Sequence, residues 1–537
     1  MHTYDPLYNP HSSTRMTKHA TQGMVATSQP LAAQAGLDIL KKGGNAVDAA
    51  IATAACLTVV EPTSNGIGGD AFALVWMRGN LYGLNASGPS PQSISIPAVK
   101  ERGYKAIPAQ GFIPVTVPGA PAGWAELSDK FGKLDFHELL TPAISYAEKG
   151  FAITPIVGKQ WKRIYQQYKE TLTEELFQHW FDTFAPKGRA PEVGEVWSSE
   201  EHASTLKAIA ETKGMAFYKG EIADQMDAFS RKHGGFLRKE DLVEYKPEWV
   251  EPISINYRGY DVWELPPNGQ GLVALMGLNM AENFRFESTF SVEDYHKQIE
   301  ALKLAYSDGH IQNSEKGNMK HSIDSLLSQI YAEKRVDLIG EEAGTSKSGE
   351  PSQSGTVYLA TADQEGNMVS FIQSNYEGFG SGLVVPGTGI SLQNQGCSFS
   401  MNSKHANALV GGRRSFHAIV PGFLTKGDEA IGPFGVMGCM MQPQGHMQVV
   451  SQLIDAKANP QMALDAPRWK WLKDRKVSVE SSFPNHVAQG LERKGHQVSV
   501  TLETNEFGRG QIISRNPETG VLAGGTDSRS DGSIAVW

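Results

Sequence analysis

Two alternating segments joined by a polar turn constrain this fold more than any other feature of the sequence. Apolar and small residues alternate over residues 357–361 and again over 368–372, with the turn 363–367 between them. A period of two on both sides of a glycine-containing turn predicts a β-hairpin. Ahead of it, residues 341–354 are rich in Gly, Ser and Lys and almost lack apolar side chains. The sequence therefore predicts that the chain enters an ordered hairpin from a flexible polar loop.

The first residue of the predicted hairpin offers chemistry as well as structure. Thr356 follows Gly355, so a cut between them would give Thr356 a free α-amine beside its own hydroxyl. An α-amine has an ordinary pKa of about 7.7–8.0 and can take the hydroxyl proton near neutral pH. A threonine that follows a glycine at the start of a strand is also ordinary strand and turn chemistry. The local sequence leaves both interpretations open.

Composition narrows the class of protein. The 537 residues are 40% hydrophobic and 20% charged, which is typical of a globular chain. A net charge of -9 disfavours nucleic acid or an anionic membrane as a partner. The sequence has no run of about 18 apolar residues, no apolar signal segment at its start and only three cysteines. These features predict a soluble, cytoplasmic protein without a disulfide framework.

The order of elements predicts an α+β fold of stacked sheets covered by helices. We expect helices over 28–42 and 45–60, a helix-rich region over 155–245, and a strand-rich C-terminal third with a late helix over 446–455. The glycine-rich segment 66–70 lies between a helix and a strand, the reverse of the order in phosphate-binding loops. We therefore interpret it as a backbone turn that lines a buried site.

A set of short motifs identifies a family that this chain resembles. They are GGNAVDAA at 43–50, GG at 68–69, VPG at 117–119, YRGY at 257–260, GSG at 380–382, APR at 466–468 and DSR at 527–529. Their order and spacing resemble the γ-glutamyltransferase family of N-terminal-nucleophile hydrolases from about residue 22 to the end. The resemblance implies a precursor that cuts itself into a large chain, 1–355, and a small chain, 356–537, which share one αββα core. It implies a small-molecule amide substrate, water or an amine as acceptor, and no metal or cofactor.

The resemblance also assigns candidate site residues. Thr356 falls on the nucleophile, and Ser374 falls on the hydroxyl residue that hydrogen-bonds it. A slip of one or two positions would put Asn375 or Tyr376 there instead. The backbone N–H groups of an oxyanion hole fall on Gly438 and Cys439. The following candidates complete the substrate side: Gln395, Ser87, Ser398 and His417.

Three of the substrate-side positions depart from the family pattern. Ser87 stands where the family has an arginine for the substrate carboxylate, and Ser398 stands where it has an aspartate for the α-ammonium. Charge-assisted contacts contribute about 1.5–3 kcal/mol each, so their loss weakens a zwitterionic head group. His417 replaces a serine. These departures resemble the branch related to glutaryl and cephalosporin acylases.

The function therefore has one main interpretation and two alternatives. The main one is a self-processing γ-glutamyltransferase-like enzyme that forms an acyl-threonine intermediate. The alternatives are an acylase of the glutaryl or cephalosporin type and an unprocessed, non-catalytic binding relative. Cys439, which replaces a glycine, is interpreted as a small buried residue, with a specificity role or a nucleophilic role left open. His446 is predicted to lie in a turn or at the start of a helix, and His405, His417 and His446 are scattered without metal-ligand spacing.

Overall fold

The structure is a computed structural model that describes residues 15–287, 290–312, 314–345 and 355–537. Most of the predicted flexible loop, residues 346–354, lies outside the described residues. The strands are β1 Lys18–Ala20, β2 Gly23–Thr27, β3 Asp70–Met77, β4 Asn80–Ala86, β5 Phe151–Ala152, β6 Val196–Trp197, β7 Glu248–Val250, β8 Ile253–Tyr257, β9 Tyr260–Glu264, β10 Gly355–Asp363, β11 Met368–Tyr376, β12 Gly422–Lys426, β13 Glu429–Met437, β14 Trp469–Lys473, β15 Lys476–Glu480, β16 Gln497–Thr501, β17 Arg509–Arg515, β18 Leu522–Thr526 and β19 Ser533–Val536.

Helices surround these strands, and their bounds follow the chain. They are α1 Pro30–Lys41, α2 Ala46–Val60, α3 Ile96–Glu101, α4 Ala120–Phe131, α5 Phe136–Lys149, α6 Pro155–Thr171, α7 Gln178–Phe184, α8 Glu200–Thr212, α9 Met215–Tyr218, α10 Glu221–Lys232, α11 Lys239–Glu244, α12 Gly271–Ala281, α13 Val292–Gln312, α14 Ile323–Leu326, α15 Gln329–Val336, α16 Gln442–Ile454, α17 Pro460–Asp465 and α18 Asn485–Arg493. In the described part of the chain, no helix is long and apolar enough to cross a membrane.

Two antiparallel sheets form the centre of the molecule. The first has the order β1-β18-β17-β13-β12-β9-β8, and the second has the order β19-β2-β10-β11-β3-β4-β7. Between them lies a layer of apolar side chains, in which Tyr358 and Ile372 from the second sheet meet Phe423 and Met437 from the first. Helices α1 and α2 cover the outer face of the second sheet, and α12 and α16 cover the first. This αββα arrangement confirms the predicted α+β fold.

Local sequence explains where α2, the helix that packs against the second sheet, begins. The Asn45 side chain accepts hydrogen bonds from the N–H groups of Val47 and Asp48 at 2.9 and 3.0 Å, and the Asp48 carboxylate accepts from the Asn45 N–H. This reciprocal pair is a capping box, so α2 begins where the sequence predicts. Every residue of α2 is buried. Its many alanines let it lie close to the second sheet.

The predicted hairpin is β10–β11, at the centre of the second sheet. Thr356 pairs with Ser374 and Gly355 pairs with Tyr376, so the register shifts by one residue between them. Asp363 closes the turn by accepting hydrogen bonds from the N–H groups of Glu365 and Asn367. The shift leaves Asn375 as an extra residue on β11, a β-bulge beside the predicted nucleophile.

The C-terminal third differs from the prediction in two places. The late helix α16 begins at Gln442 rather than at 446, because Pro443 lies in its first turn, where a proline is tolerated. His446 therefore lies in the second turn, and the prediction that it begins a helix or lies in a turn was wrong. The structure also contains α18 and a small sheet of β14, β15 and β16, which the sequence analysis did not predict as separate elements.

Candidate active site

Three oxygen atoms meet at the start of β10. The hydroxyl oxygens of Thr356 and Ser374 lie 3.0 Å apart, and the Ser374 hydroxyl donates to the Gly355 carbonyl at 2.7 Å. The Tyr376 N–H donates to the same Ser374 oxygen at 2.8 Å. A hydroxyl has one proton to donate, and Ser374 donates its proton to the Gly355 carbonyl oxygen. Thr356 must therefore donate to Ser374, which fixes the direction of both hydrogen bonds.

A polar row continues from this cluster across the second sheet. Asp70 pairs with Ser374, so its side chain is on the same face of the sheet. The Asp70 carboxylate accepts hydrogen bonds from the N–H groups of Gly88 and Gly119, each at 3.1 Å, and from the Gln393 side chain at 2.8 Å. Sequence analysis missed Asp70. Its position directly after the glycine pair 68–69 is the one available signal.

The glycine-rich turn before Asp70 packs directly on the bulge. A Cβ on Gly69 would lie 2.4 Å from the Ser374 carbonyl oxygen, and a Cβ on Gly66 would lie 2.8 Å from the Asn375 side chain. Only glycine permits this approach of two backbones. The turn lies beside the hydroxyl cluster, as the sequence analysis expected of a turn lining a buried site.

The predicted oxyanion residues follow the end of β13 in the facing sheet. Gly438 has φ +146° and Cys439 has φ +53°. Arg509, which pairs with Met437, donates to the Glu61 carboxylate at 3.2 Å, and Glu61 in turn accepts from the Ser28 hydroxyl. Ser28 follows β2, which pairs with β10. This chain of buried contacts ties the Gly438 end of β13 to the Thr356 end of β10.

Two buried polar side chains fix the end of β13 and the loop that follows it. The Gln270 amide donates to the carbonyl groups of Cys439 and Ala418 at 2.8 and 2.5 Å. The Val436 N–H donates to His446 Nε2 at 3.2 Å, and His446 Nδ1 lies 2.7 Å from the Glu264 carboxylate. Sequence analysis missed Gln270 and Glu264, because their partners are more than 140 residues away in the chain.

The remaining candidates fall into two groups. Ser87, Gln395, Ser398 and His417 form a polar region around Asp70, in which His417 Nε2 donates to Asp70 at 3.1 Å and the Gln395 amide donates to the Ser398 hydroxyl at 2.9 Å. The Ile419 N–H donates to His417 Nδ1, which fixes the Nε2–H tautomer. Asn375 and Tyr376 belong to the bulge, where the Asn375 amide donates to the Ser391 hydroxyl.

Within the described residues, Arg414 and Arg509 do not take the place of the arginine that Ser87 lacks. The Ser87 hydroxyl donates to Asn85 at 2.7 Å, and its carbonyl accepts from Arg414, whose guanidinium is paired with Glu248. Arg509 is paired with Glu61 on the other side of the site. Both guanidinium groups are therefore engaged in buried or partly buried structural contacts.

One cluster in the described part of the chain has the residue types of a metal site. His296, Glu300 and His496 are buried, and their candidate ligand atoms lie within 4.8 Å of one another. The Glu300 carboxylate is occupied, because it accepts from Lys303 at 2.7 Å and from the Gly344 N–H at 3.2 Å. Lys303 is itself a buried cation. His296 Nδ1 and His496 Nε2 hydrogen-bond each other at 2.9 Å, so the candidate ligand atoms of the three residues are already satisfied by protein partners and do not fit a resident ion.

The αββα fold, with a threonine at the start of a central strand, is that of the N-terminal-nucleophile hydrolases, which cleave amides. The family model described as gamma-glutamyltranspeptidase matches residues 32–537, and the chain belongs to that family. It is an amide-cleaving enzyme of this class.

Individual relatives differ in their named activities. The Glutathione hydrolase-like YwrD proenzyme of Bacillus subtilis is 35% identical over 96% of this chain and 98% of its own length. The oxamate amidohydrolase proenzyme of Klebsiella pneumoniae is 30% identical over 96% of this chain and 99% of its own. The crystal structure of a cephalosporin acylase from Bacillus halodurans is 60% identical, with a TM-score of 0.97 over 100% of this chain and 99% of that one.

Proposed function

We propose that the chain is the proenzyme of an acylase that cuts itself between Gly355 and Thr356 and then uses Thr356 as its nucleophile. The observation that carries the proposal is the hydroxyl cluster. Ser374 donates to the carbonyl group of the bond to be cut and accepts from the hydroxyl that would attack it. The products are a large chain, residues 1–355, and a small chain, residues 356–537.

The cut follows from these contacts. The Ser374 hydroxyl polarises the Gly355 carbonyl, and Thr356 Oγ1 attacks its carbon. The C–N bond then breaks, and the nitrogen takes the hydroxyl proton to become the α-amine of Thr356. Water hydrolyses the resulting ester, which leaves a carboxylate on Gly355 and restores the Thr356 hydroxyl.

Turnover of substrate uses the same hydroxyl. The new α-amine takes its proton as Oγ1 attacks the substrate amide, and the N–H groups of Gly438 and Cys439 stabilise the oxyanion. The α-amine then protonates the leaving amine. Water releases the acyl group from Thr356, and an amine in the place of water gives transfer instead of hydrolysis.

The charges around the site favour an acyl group that is not a zwitterion. Ser87 and Ser398 carry no charge, and the guanidinium groups of Arg414 and Arg509 are engaged elsewhere. The similarity to a structure named as a cephalosporin acylase agrees with this preference. The second candidate is γ-glutamyl hydrolysis or transfer, as in glutathione breakdown, which the name of the 35% identical relative favours.

A pair of matched variants tests self-processing. Thr356→Ala removes the attacking hydroxyl, while Thr361→Ala removes another buried hydroxyl of β10, one that donates to the Ala46 carbonyl. On a denaturing gel we expect two fragments for the parent and Thr361→Ala, and one full-length band for Thr356→Ala. Mass spectrometry of the small fragment should find Thr356 at its N-terminus. Maturation of Thr356→Ala at the parental rate would rule out the proposal.

Two chromogenic substrates test the acyl group. We expect the parent to cleave glutaryl-p-nitroanilide with a higher kcat/KM than γ-glutamyl-p-nitroanilide. The double variant Ser87→Arg with Ser398→Asp restores both charges and should shift the ratio toward γ-glutamyl by at least ~10-fold, as expected for two charge-assisted contacts. A parent that strongly prefers the γ-glutamyl substrate would favour the second candidate.

A further inference from the structure

One hydrogen bond of the hydroxyl cluster comes from a residue that does not react. The Ser374 hydroxyl has one proton and two lone pairs to offer. It donates its proton to the Gly355 carbonyl at 2.7 Å, and its lone pairs accept from the Thr356 hydroxyl at 3.0 Å and from the Tyr376 N–H at 2.8 Å. Gly355 and Thr356 are the reacting groups of the proposed cut, whereas Tyr376 supplies a backbone N–H that stays intact. The Tyr376 contact completes the hydrogen bonding of Ser374.

The backbone of Tyr376 is strained. Its φ is +75°, in the left-handed region that a residue with a large side chain seldom adopts. Tyr376 follows Asn375, the extra residue of the β-bulge, and it pairs with Gly355 across the hairpin. Strained residues persist where the surrounding structure holds them, and they cluster at functional sites. The position of this strain, opposite the bond to be cut, points to a role in the cut.

Contacts on both sides hold Tyr376 in this conformation. On its N-terminal side, the Ser374 side chain accepts from the N–H two residues later, a local turn that serine favours. On its C-terminal side, the Glu377 N–H donates to the Asn394 side chain at 3.1 Å, and the Asn394 amide donates to the Ala109 carbonyl at 2.9 Å. The φ angle of Tyr376 joins these two fixed segments. A residue that left the left-handed region would have to give up one of them.

The segment after Tyr376 also supports the carbonyl group that is attacked. A Cβ on Gly355 would lie 2.4 Å from the Gly378 nitrogen and 2.8 Å from the Gly378 Cα, so the two backbones are in close contact. Gly355 is thus held between the Ser374 hydroxyl and the backbone of Gly378. A shift of residues 376–378 would move the Gly355 carbonyl relative to the Thr356 hydroxyl.

We propose that Tyr376 is a positioning residue for self-processing, and that it acts through its left-handed backbone rather than through its ring. This proposal rests on the proposed function. The Tyr376 N–H fixes the Ser374 hydroxyl and draws electron density from its oxygen, which strengthens the hydrogen bond from Ser374 to the Gly355 carbonyl. The same conformation carries the chain on to Gly378, which supports Gly355. Loss of the left-handed conformation therefore weakens both the polarisation and the placement of the carbonyl group.

Two substitutions of similar size separate the backbone of Tyr376 from its ring. Tyr376→Asn and Tyr376→Val both remove the ring, but asparagine tolerates the left-handed region and β-branched valine is disfavoured there. We expect the Tyr376→Val precursor to cut itself ~10-fold more slowly than the Tyr376→Asn precursor, in line with the cost of a left-handed residue. Cell-free translation yields the full-length precursor, and a time course on denaturing gels measures its conversion. Equal rates for the two variants would overturn the proposal.

A second left-handed residue provides the matched control. Arg78 has φ +52°, is exposed in the turn between β3 and β4, and its N–H also donates to a side chain, that of Asn367, at 3.3 Å. This turn is at the opposite end of β3 from Asp70, which pairs with Ser374. We expect Arg78→Val and Arg78→Asn to mature at the same rate. A tenfold difference at both positions would mean that strain slows folding in general, and it would overturn the proposal.

The Ser374→Ala background shows whether Tyr376 acts through Ser374. Without the hydroxyl, the Tyr376 N–H has no oxygen of residue 374 to fix, so the two substitutions at 376 should no longer be independent of the one at 374. We expect the difference in rate between Tyr376→Asn and Tyr376→Val to fall from ~10-fold to ~3-fold or less in this background. A difference that stayed at ~10-fold would indicate a purely structural role and contradict the proposal.

The outcomes separate this proposal from the function on which it rests. Maturation of Thr356→Ala at the parental rate would overturn both. Loss of maturation in Thr356→Ala, with equal rates for the two Tyr376 variants, would overturn the positioning role alone. If Tyr376→Val does not fold, the pair Tyr376→Ala and Tyr376→Gly gives the same comparison, with Tyr376→Gly expected to be ~5-fold faster. Equal rates in that pair would overturn the positioning role in the same way.

Discussion

At the scale of single residues, Ser374 has the largest expected effect after Thr356. Ser374→Ala removes the donor to the Gly355 carbonyl and the acceptor for the Thr356 hydroxyl. We expect self-processing to slow by ~100–1,000-fold, the range for a group that polarises or orients reacting atoms. A time course on denaturing gels measures the rate.

The control for Ser374→Ala lies on the same strand. Ser370→Ala also removes a buried hydroxyl of β11, one that lies 2.7 Å from the Tyr358 hydroxyl and far from the bond to be cut. It should lower stability by a similar amount and leave the processing rate close to the parental one. Equal processing rates for the parent and Ser374→Ala would contradict the role of Ser374.

Cys439 tests whether a thiol contributes to the chemistry. Its backbone has φ +53°, a left-handed conformation that costs a non-glycine residue about 1 kcal/mol, whereas glycine adopts it freely. We expect Cys439→Gly to keep kcat within about threefold and to raise the unfolding temperature slightly, because the N–H group is kept. Thermal scans and p-nitroanilide kinetics measure both. A loss of kcat by ~100-fold would indicate that the thiol takes part.

At the scale of elements, β13 depends on α16 for the last hydrogen bond on its β12 side. Val436 lies beyond the end of the pairing between β12 and β13, and His446 supplies the acceptor that β12 no longer provides. We expect His446→Ala to lower the free energy of unfolding by about 3 kcal/mol, because it leaves the Glu264 carboxyl buried without its partner. It should also lower kcat by ~10-fold, because the Val436 N–H that His446 holds lies two residues before the proposed oxyanion residue Gly438.

A second helix residue separates these two effects. Gln448, two residues beyond His446 in the same helix, hydrogen-bonds the backbone of Trp469 in β14. Gln448→Ala should therefore lower stability and leave kcat unchanged. If His446→Ala behaved in the same way, α16 would have no part in positioning the oxyanion residues. Urea unfolding and steady-state kinetics on the processed enzymes provide both readouts.

The sequence predicted elements well where their signals were local. The Asn45 cap and the alternation around the 363–367 turn placed α2 and the hairpin, because each signal lies within a few residues of the structure it forms. Local signals of this kind do not predict the pairing of β15 with β16. β16 is half-exposed and rich in polar residues, and its parallel partner is separated from it by α18.

At the scale of the whole molecule, contacts between residues that are far apart in the sequence could not be predicted for the site either. The family resemblance pointed to Thr356, Ser374 and Gly438 as candidates, whereas Asp70 and Gln270 make contacts that only the folded chain creates. Asp527 gives a further example. It belongs to the DSR motif at 527–529, and in the fold it accepts from the Arg529 N–H and pairs with the guanidinium groups of Arg468 and Arg529 at 2.7 and 3.0 Å.

This ion-pair cluster predicts how stability depends on pH. Burial opposes the charge of Asp527, but Arg468 and Arg529 outweigh it and hold its pKa below the ordinary value. A lowered carboxyl pKa stabilises the fold above the ordinary pKa of about 3.9, and this contribution is lost as the pH falls through the folded value. Asp527→Asn should therefore lower the free energy of unfolding by about 3–5 kcal/mol at pH 7. The difference from the parent should shrink at pH 3, and urea unfolding at pH 7, 5 and 3 checks it.

The sheet order predicts what happens to the two proposed chains after the cut. In the second sheet, β10 and β11 from residues 356–537 lie between β2 and β3 from residues 1–355. In the first sheet, β12 pairs with β9 across the same division. Separation would break both ladders and expose the apolar layer between the sheets. We therefore expect the two fragments to elute together in native size-exclusion chromatography and to separate only in denaturant. Elution of a free small fragment from the processed enzyme would contradict the shared core.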